Sequence, residues 1–143
     1  MALARERRCE LLAGTAADRL VELADRCLED AGAFLQVRSR PSVGTVALEV
    51  REPVAGERFI LGDVLVTSAE VEWRGQRGWA TLIGSDRAAT LAAAVCDAEA
   101  QAAGPLSEAV EELCHQTERA LARAAAEEEH ELASTVVQFE ELM

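Results

Sequence analysis

The apolar positions change period twice along the chain. From Leu3 to Ala13 they are compatible with a short helix that Gly14 ends. Thr15, with Asp18 three residues later, resembles a helix start, although Glu or Gln is the usual third-residue partner. Leu20, Ala24, Cys27, Leu28 and Ala31 then follow the i, i+4, i+7, i+8 spacing of one buried stripe. Asp18, Glu22, Asp25, Arg26 and Glu29 cover the other faces, and Gly32 stands at the expected C′ position.

From residue 34 the pattern becomes strand-like. Phe34 to Arg38 reads as one strand, Pro41-Ser42 as a turn, and Val43 to Arg51 as a second strand, with Val46, Leu48 and Val50 alternating against Ala47 and Glu49. Pro53 excludes a central strand position. The stretch Gly56-Glu57-Arg58-Phe59-Ile60-Leu61-Gly62-Asp63 follows, leading into Val64 to Thr67. Glycines inside strand-like sequence mark a bulge, a sharp bend or a close backbone approach. Two readings stay open here: a tight connection between strands, or a binding loop whose bend Asp63 caps. Val64 to Trp73 continues the β region, Arg74 to Gly78 reads as a hairpin-type turn, and Trp79 to Ile83 returns as a strand that Gly84 ends.

The period then reverts to helical. Asp86 is an N-cap for a helix from Arg87 to Ala103, with Leu91, Ala94, Val95 and Ala98 toward the sheet. Gly104-Pro105 breaks it, and Pro suits the start of the next helix. Leu106, Val110, Leu113, Cys114, Thr117, Leu121 and Ala125 form a stripe through to about residue 131, and the apolar tail around Val136, Val137 and Phe139 is expected to dock on its own domain or another subunit. The fold expected is α+β: an antiparallel four- to five-stranded meander sheet flanked by N-terminal and C-terminal helices. The connections are too short for parallel crossovers. At 143 residues this is one domain, 1–143.

Composition narrows the function. Half the residues are hydrophobic, and no apolar run approaches a membrane span. The basic N-terminus has no apolar stretch behind it for a signal peptide, so a cytoplasmic location is expected. The net charge of −12 argues against a nucleic-acid partner. All 14 basic residues are Arg, and the aromatic content of 3% leaves the core to Leu, Val and Ala. Cys9, Cys27, Cys96 and Cys114 are far apart and lack the spacing of a zinc site, which reads as four reduced thiols and no metal.

Candidate chemistry is sparse. No Ser-His-Asp set, Walker-type loop or paired metal ligands are present, and His115 and His130 lie on expected surface helices. Glu57 and Asp63 are near enough in sequence to form a carboxylate pair, provided that burial separates their pKa values. Arg51 and Arg58 are candidates for holding an anion. The residues by themselves read as a subunit or binding module without a self-contained active site.

An ordered set of short motifs nevertheless resembles the PhnG family, a small subunit of the bacterial carbon–phosphorus lyase system. The elements are Pro41-x-x-Gly44, Arg51, Gly56-Glu57-Arg58-Phe59-x-x-Gly62-Asp63-x-x-x-Thr67, Val71, Gly75, Gly78-Trp79, Gly84-x-Asp86, Ala94 and Asp97-Ala98. The resemblance covers residues 15–100 well and the last forty loosely. It implies a subunit of a core complex with PhnI-like, PhnH-like and PhnJ-like partners. The implied reaction is displacement of adenine from ATP by a phosphonate, giving an α-D-ribose 1-phosphonate 5-triphosphate. PhnL takes part in the same step, and most of the chemistry falls to the PhnI-like partner. ATP is then a substrate of the complex, and this chain holds no cofactor.

The positions that the resemblance marks as substrate or partner contacts are Arg51, Glu57, Arg58, Asp63, Thr67 and Asp86. Gly44, Gly56, Phe59, Gly62 and Gly84 form its structural framework. No catalytic residue is assigned. The chain departs from the family at three Arg positions, where Ser39, Ser68 and Ser85 stand, and at Gln138. A small-ligand or regulatory binding domain that keeps the fold without the phosphonate role is the alternative.

Overall fold

The computed structural model describes residues 2–142, with side chains described for residues 2–133. The elements run α1 (Arg5–Ala13), α2 (Ala17–Leu28), β1 (Leu35–Arg51), β2 (Arg58–Trp73), β3 (Gln76–Ile83), α3 (Arg87–Gln101) and α4 (Ser107–Leu142). The fold is α+β, with two helices before an antiparallel sheet of order β1-β2-β3 and two after it.

The sheet has three strands rather than four or five, because two expected breaks do not occur. Pro41 lies inside β1, where sequence reading places a turn. It is tolerated because β1 is an edge strand and the register slips between Val37 and Ser39 and again between Ser39 and Ser42. At such a bulge the missing N–H costs no ladder bond. Gly62-Asp63 likewise makes no bend. β2 runs straight through, pairing Gly62 with Leu48 and Asp63 with Ala47. The interruption is smaller: Leu48 pairs with Gly62 but Glu49 with Ile60, so Leu61 is one extra residue bulged out of β2.

Strand alternation decides which part of the sheet is core. Thr67, Ala69, Val71 and Trp73 of β2 and Gly78, Ala80 and Leu82 of β3 face the helices and are buried. Toward its other end β2 outruns β3, whose last pair is Val66 with Ile83. Beyond that pair β1 and β2 continue alone as a two-stranded arm, closed by the turn at residues 52–57.

α3 is the centre of the molecule and packs against each of the other six elements. Its residues Ala92 to Glu99 are all buried, so it has no solvent face there, in contrast to the one-sided burial that periodicity implies. Small side chains make this possible. Where α3 crosses β3, a Cβ on Gly78 would stand 2.0 Å from the Ala94 carbonyl oxygen and 2.7 Å from the Ala98 side chain. Gly78 is therefore what lets helix and sheet touch. α3 starts as expected at Asp86, whose Oδ1 accepts from Ala89 N at 3.0 Å. It ends in a Schellman motif: Gly104 N donates to Glu99 O and Ala103 N to Ala100 O, with Ala103 left-handed at φ 51°.

Other helix boundaries differ from the sequence reading. α2 ends at Leu28, with Glu29 as its cap, so Gly32 does not close it, and Ala31 is exposed. Its buried stripe is Leu20, Leu23, Ala24 and Cys27. Thr15 does not cap α2. Its hydroxyl instead donates to Leu11 O at 2.8 Å and meets the Thr117 hydroxyl at 2.7 Å, tying α1 to α4. α4 is longer than expected. It is buried along Val110, Leu113, Cys114 and Thr117, and from Arg119 to residue 133 its side chains are exposed. The apolar tail at Val136–Phe139 lies outside the described side chains.

Candidate functional site

The residues singled out by sequence fall into three places along the arm. Arg51, Glu57 and Arg58 lie at its tip. Arg51 and Arg58 are the last cross-strand pair, which sets two guanidinium side chains on one face. Arg58 approaches Glu49 only at 3.9 Å. Gly56 takes φ 70° in the turn, which a non-glycine residue resists, and its N–H donates to Glu52 O at 2.9 Å. The Glu52 carboxylate accepts from Val54 N and Ala55 N, both at 2.6 Å, so it is committed to shaping the turn.

Asp63 stands in mid-arm, exposed. Glu57 and Asp63 are six residues apart on an extended chain, roughly 20 Å at strand rise. They form no carboxylate pair, and neither is buried. Phe59, Gly62 and Gly44 also belong to the arm. The third place is the arm's base. There Thr67 is buried and its hydroxyl donates to Gly84 O at 2.8 Å, while Gly84 N donates to Leu65 O at 2.8 Å. Asp86 is two residues further on, as the α3 cap. Thr67, Gly84 and Asp86 thus form a joint that fixes the arm to the start of α3.

The arm has two unlike faces. Cross-strand partners Val46 and Val64, Gly44 and Val66, and Val50 and Phe59 all project away from the side that the helices cover, and so does Leu48. Val46 is 52% exposed, Phe59 46%, and Ile83, which continues the strip onto β3, 82%. The opposite face mixes Thr45, Ala47, Ile60 and Leu65 with the charged Glu49, Arg51, Arg58 and Asp63.

Two acids on α3 are buried, a role that sequence reading does not assign to either. Asp97 is fully buried, and its Oδ1 accepts from Arg8 Nε at 3.1 Å and Nη2 at 2.9 Å. Its Oδ2 accepts from Arg5 Nη2 and from Trp79 N, both at 3.0 Å. Glu99 is also fully buried. Its Oε2 accepts from Trp73 Nε1 at 2.6 Å and Arg74 Nε at 2.8 Å, and its Oε1 from Leu106 N at 3.1 Å. Burial pulls the Glu99 pKa up, but the Arg74, Leu106 and Trp73 bonds outweigh it and hold the carboxyl below its usual range. Arg74 is itself strained at φ 51° in the two-residue hairpin turn, and it also bonds Asp30 at 2.7 Å. The advance signals were the place of Asp97 in the motif set of the resemblance and, for both, acids at positions 97 and 99 inside an otherwise Ala-rich apolar helix.

These networks are saturated. Among the described residues no buried side-chain nitrogen or oxygen lacks a partner. No group of three or more His, Cys, Asp or Glu among them is placed to hold a metal ion. A groove of about 670 Å³ lies between α1 and β3, where Cys9, Ala13 and Trp79 meet Arg5, Glu70 and Arg77. Its one thiol is a poor nucleophile: burial and then Asp97 push Cys9 up to about 11. No helix among the described residues is long and apolar enough to cross a membrane.

A protein-family model described as phosphonate metabolism protein PhnG matches residues 3–143 of the chain. No curated protein matches it significantly.

Proposed function

The chain belongs to the PhnG family of phosphonate metabolism proteins, and from that premise we propose that it is a non-autonomous subunit of a carbon–phosphorus lyase core complex. Its partners in this reading are PhnI-like, PhnH-like and PhnJ-like chains. The complex takes ATP and a phosphonate such as methylphosphonate, displaces adenine at the ribose anomeric carbon, and yields α-D-ribose 1-phosphonate 5-triphosphate. The observation that carries the reading is the family match over nearly the whole chain. The structure is in keeping with it: the chain extends two elements, the β1-β2 arm and the outer part of α4, that its own core does not cover. Arg51, Glu57, Arg58 and Asp63, all exposed on the arm, are the proposed partner or substrate contacts. Thr67 and Asp86 act through the arm's base.

The test is reconstitution. The complex is assembled with and without this chain, supplied with ATP and methylphosphonate, and adenine release is followed. Loss of release on omission, restored by adding the chain back, is the expected result. Release that is indifferent to the chain contradicts the proposal. The alternative of a stand-alone binding domain expects a rise in Tm with phosphonates or nucleotides and no partner present.

A further inference from the structure

We infer that the outward face of the β1-β2 arm is the surface on which a different, basic protein chain docks through an apolar strip of its own. The inference rests on the subunit reading above and names the surface and the kind of partner. Val46, Leu48, Val50, Phe59 and Val64 lie on one side of the ribbon beyond the end of β3, and Val66 with its β3 partner Ile83 extends the strip to the body. A contiguous apolar face of this kind on one side of a projecting ribbon marks an interaction surface. An isolated two-stranded ribbon is also marginal in water, so a partner on this face would supply the packing that the arm lacks.

Charge says what covers it. Within the arm, residues 45–65, Arg51 and Arg58 stand against Glu49, Glu52, Glu57 and Asp63, a net charge of −2. The other −10 of the net −12 belongs to the rest of the chain. The outward strip of Val46, Leu48, Val50, Phe59 and Val64 carries no charged side chain and can lie against apolar surface without burying one, but a second copy would bring two strongly acidic bodies together. A basic chain is drawn toward the body instead, and self-association is disfavoured.

The experiment uses the full chain co-expressed with the tagged PhnI-like subunit of the proposed complex. Val46→Glu and, at the far end of the strip, Phe59→Glu are compared with Thr45→Glu on the opposite face. Both outward variants are expected to weaken capture at least tenfold with Tm unchanged, while Thr45→Glu captures as the parent chain does. Affinity of the parent chain is expected to fall as salt rises. Outward variants that bind normally overturn the assigned face and leave the subunit reading standing. A parent chain that captures nothing overturns the subunit reading itself. A parent chain that sediments alone as a dimer, dissociated by Val46→Glu, overturns the choice of occupant, and so does affinity that rises with salt.

Discussion

Asp97 and Glu99 show how single residues hold this molecule together. Each is a fully buried carboxylate with all its bonds made, and each joins α3 to something distant in sequence: Asp97 to α1 and β3, Glu99 to the hairpin turn and the start of α4. Removing one partner of such a pair strands the other charge. Asp97→Ala leaves Arg8 buried and is expected to cost about 3–5 kcal/mol, read from the urea midpoint. Glu99 adds a pH dependence. Its carboxyl sits below the usual 4.5, so as pH falls the unfolded chain takes up this proton first. The stability it contributes is full well above pH 4.5 and is lost as pH falls through the lower folded-state value. A urea series across this range with Glu99→Gln beside the parent chain should show a flatter acid limb in the variant. Cys9, pushed up to about 11, should react with iodoacetamide at pH 8 on the order of a hundredfold more slowly than an unperturbed thiol. Labelling followed by mass spectrometry checks this.

Among the elements, α3 and the arm divide what was legible in the sequence from what was not. Local chemistry announced itself: the Asp86 cap, the break at Gly104, the turn at Arg74-Gly75 and the switches of period were all readable. Pro41 and Gly62 misled because their effect depends on which strand lies at an edge and where the register slips, and no local pattern carries that. The buried stripe of α2 was read one turn too far for a similar reason: Leu28 and Ala31 fit the spacing, but Leu28 is the exposed last residue of the helix and Ala31 lies past its end. In α3, periodicity pointed to one buried face, whereas a helix surrounded by six neighbours has none to spare; Gly78, placed on a turn by sequence, is the contact that brings it onto the sheet. Gly78→Ala is accordingly expected to destabilise by about 1–3 kcal/mol or more, because the added methyl meets backbone that cannot move aside. Ala103→Gly should act in the opposite direction, by about 1 kcal/mol, since it relieves a left-handed alanine in the Schellman motif. Thermal melts of the two variants test both signs. The candidate site was legible only as a stretch of residues: Arg51, Glu57, Arg58 and Asp63 do share one element, but they are strung along a ribbon instead of gathered in a loop.

The whole molecule pairs a saturated interior with two unsatisfied projections. Among the described residues the buried polar groups are engaged in joining helices to sheet and to one another. The outward strip of the arm and the acidic body are the surfaces on which the proposed subunit role rests. That role requires assembly, and native mass spectrometry of this chain co-purified through a tag on the PhnI-like subunit tests it most directly. A defined complex holding both chains is the predicted result. A well-folded monomer that elutes alone, with the tagged partner free of it, would contradict it.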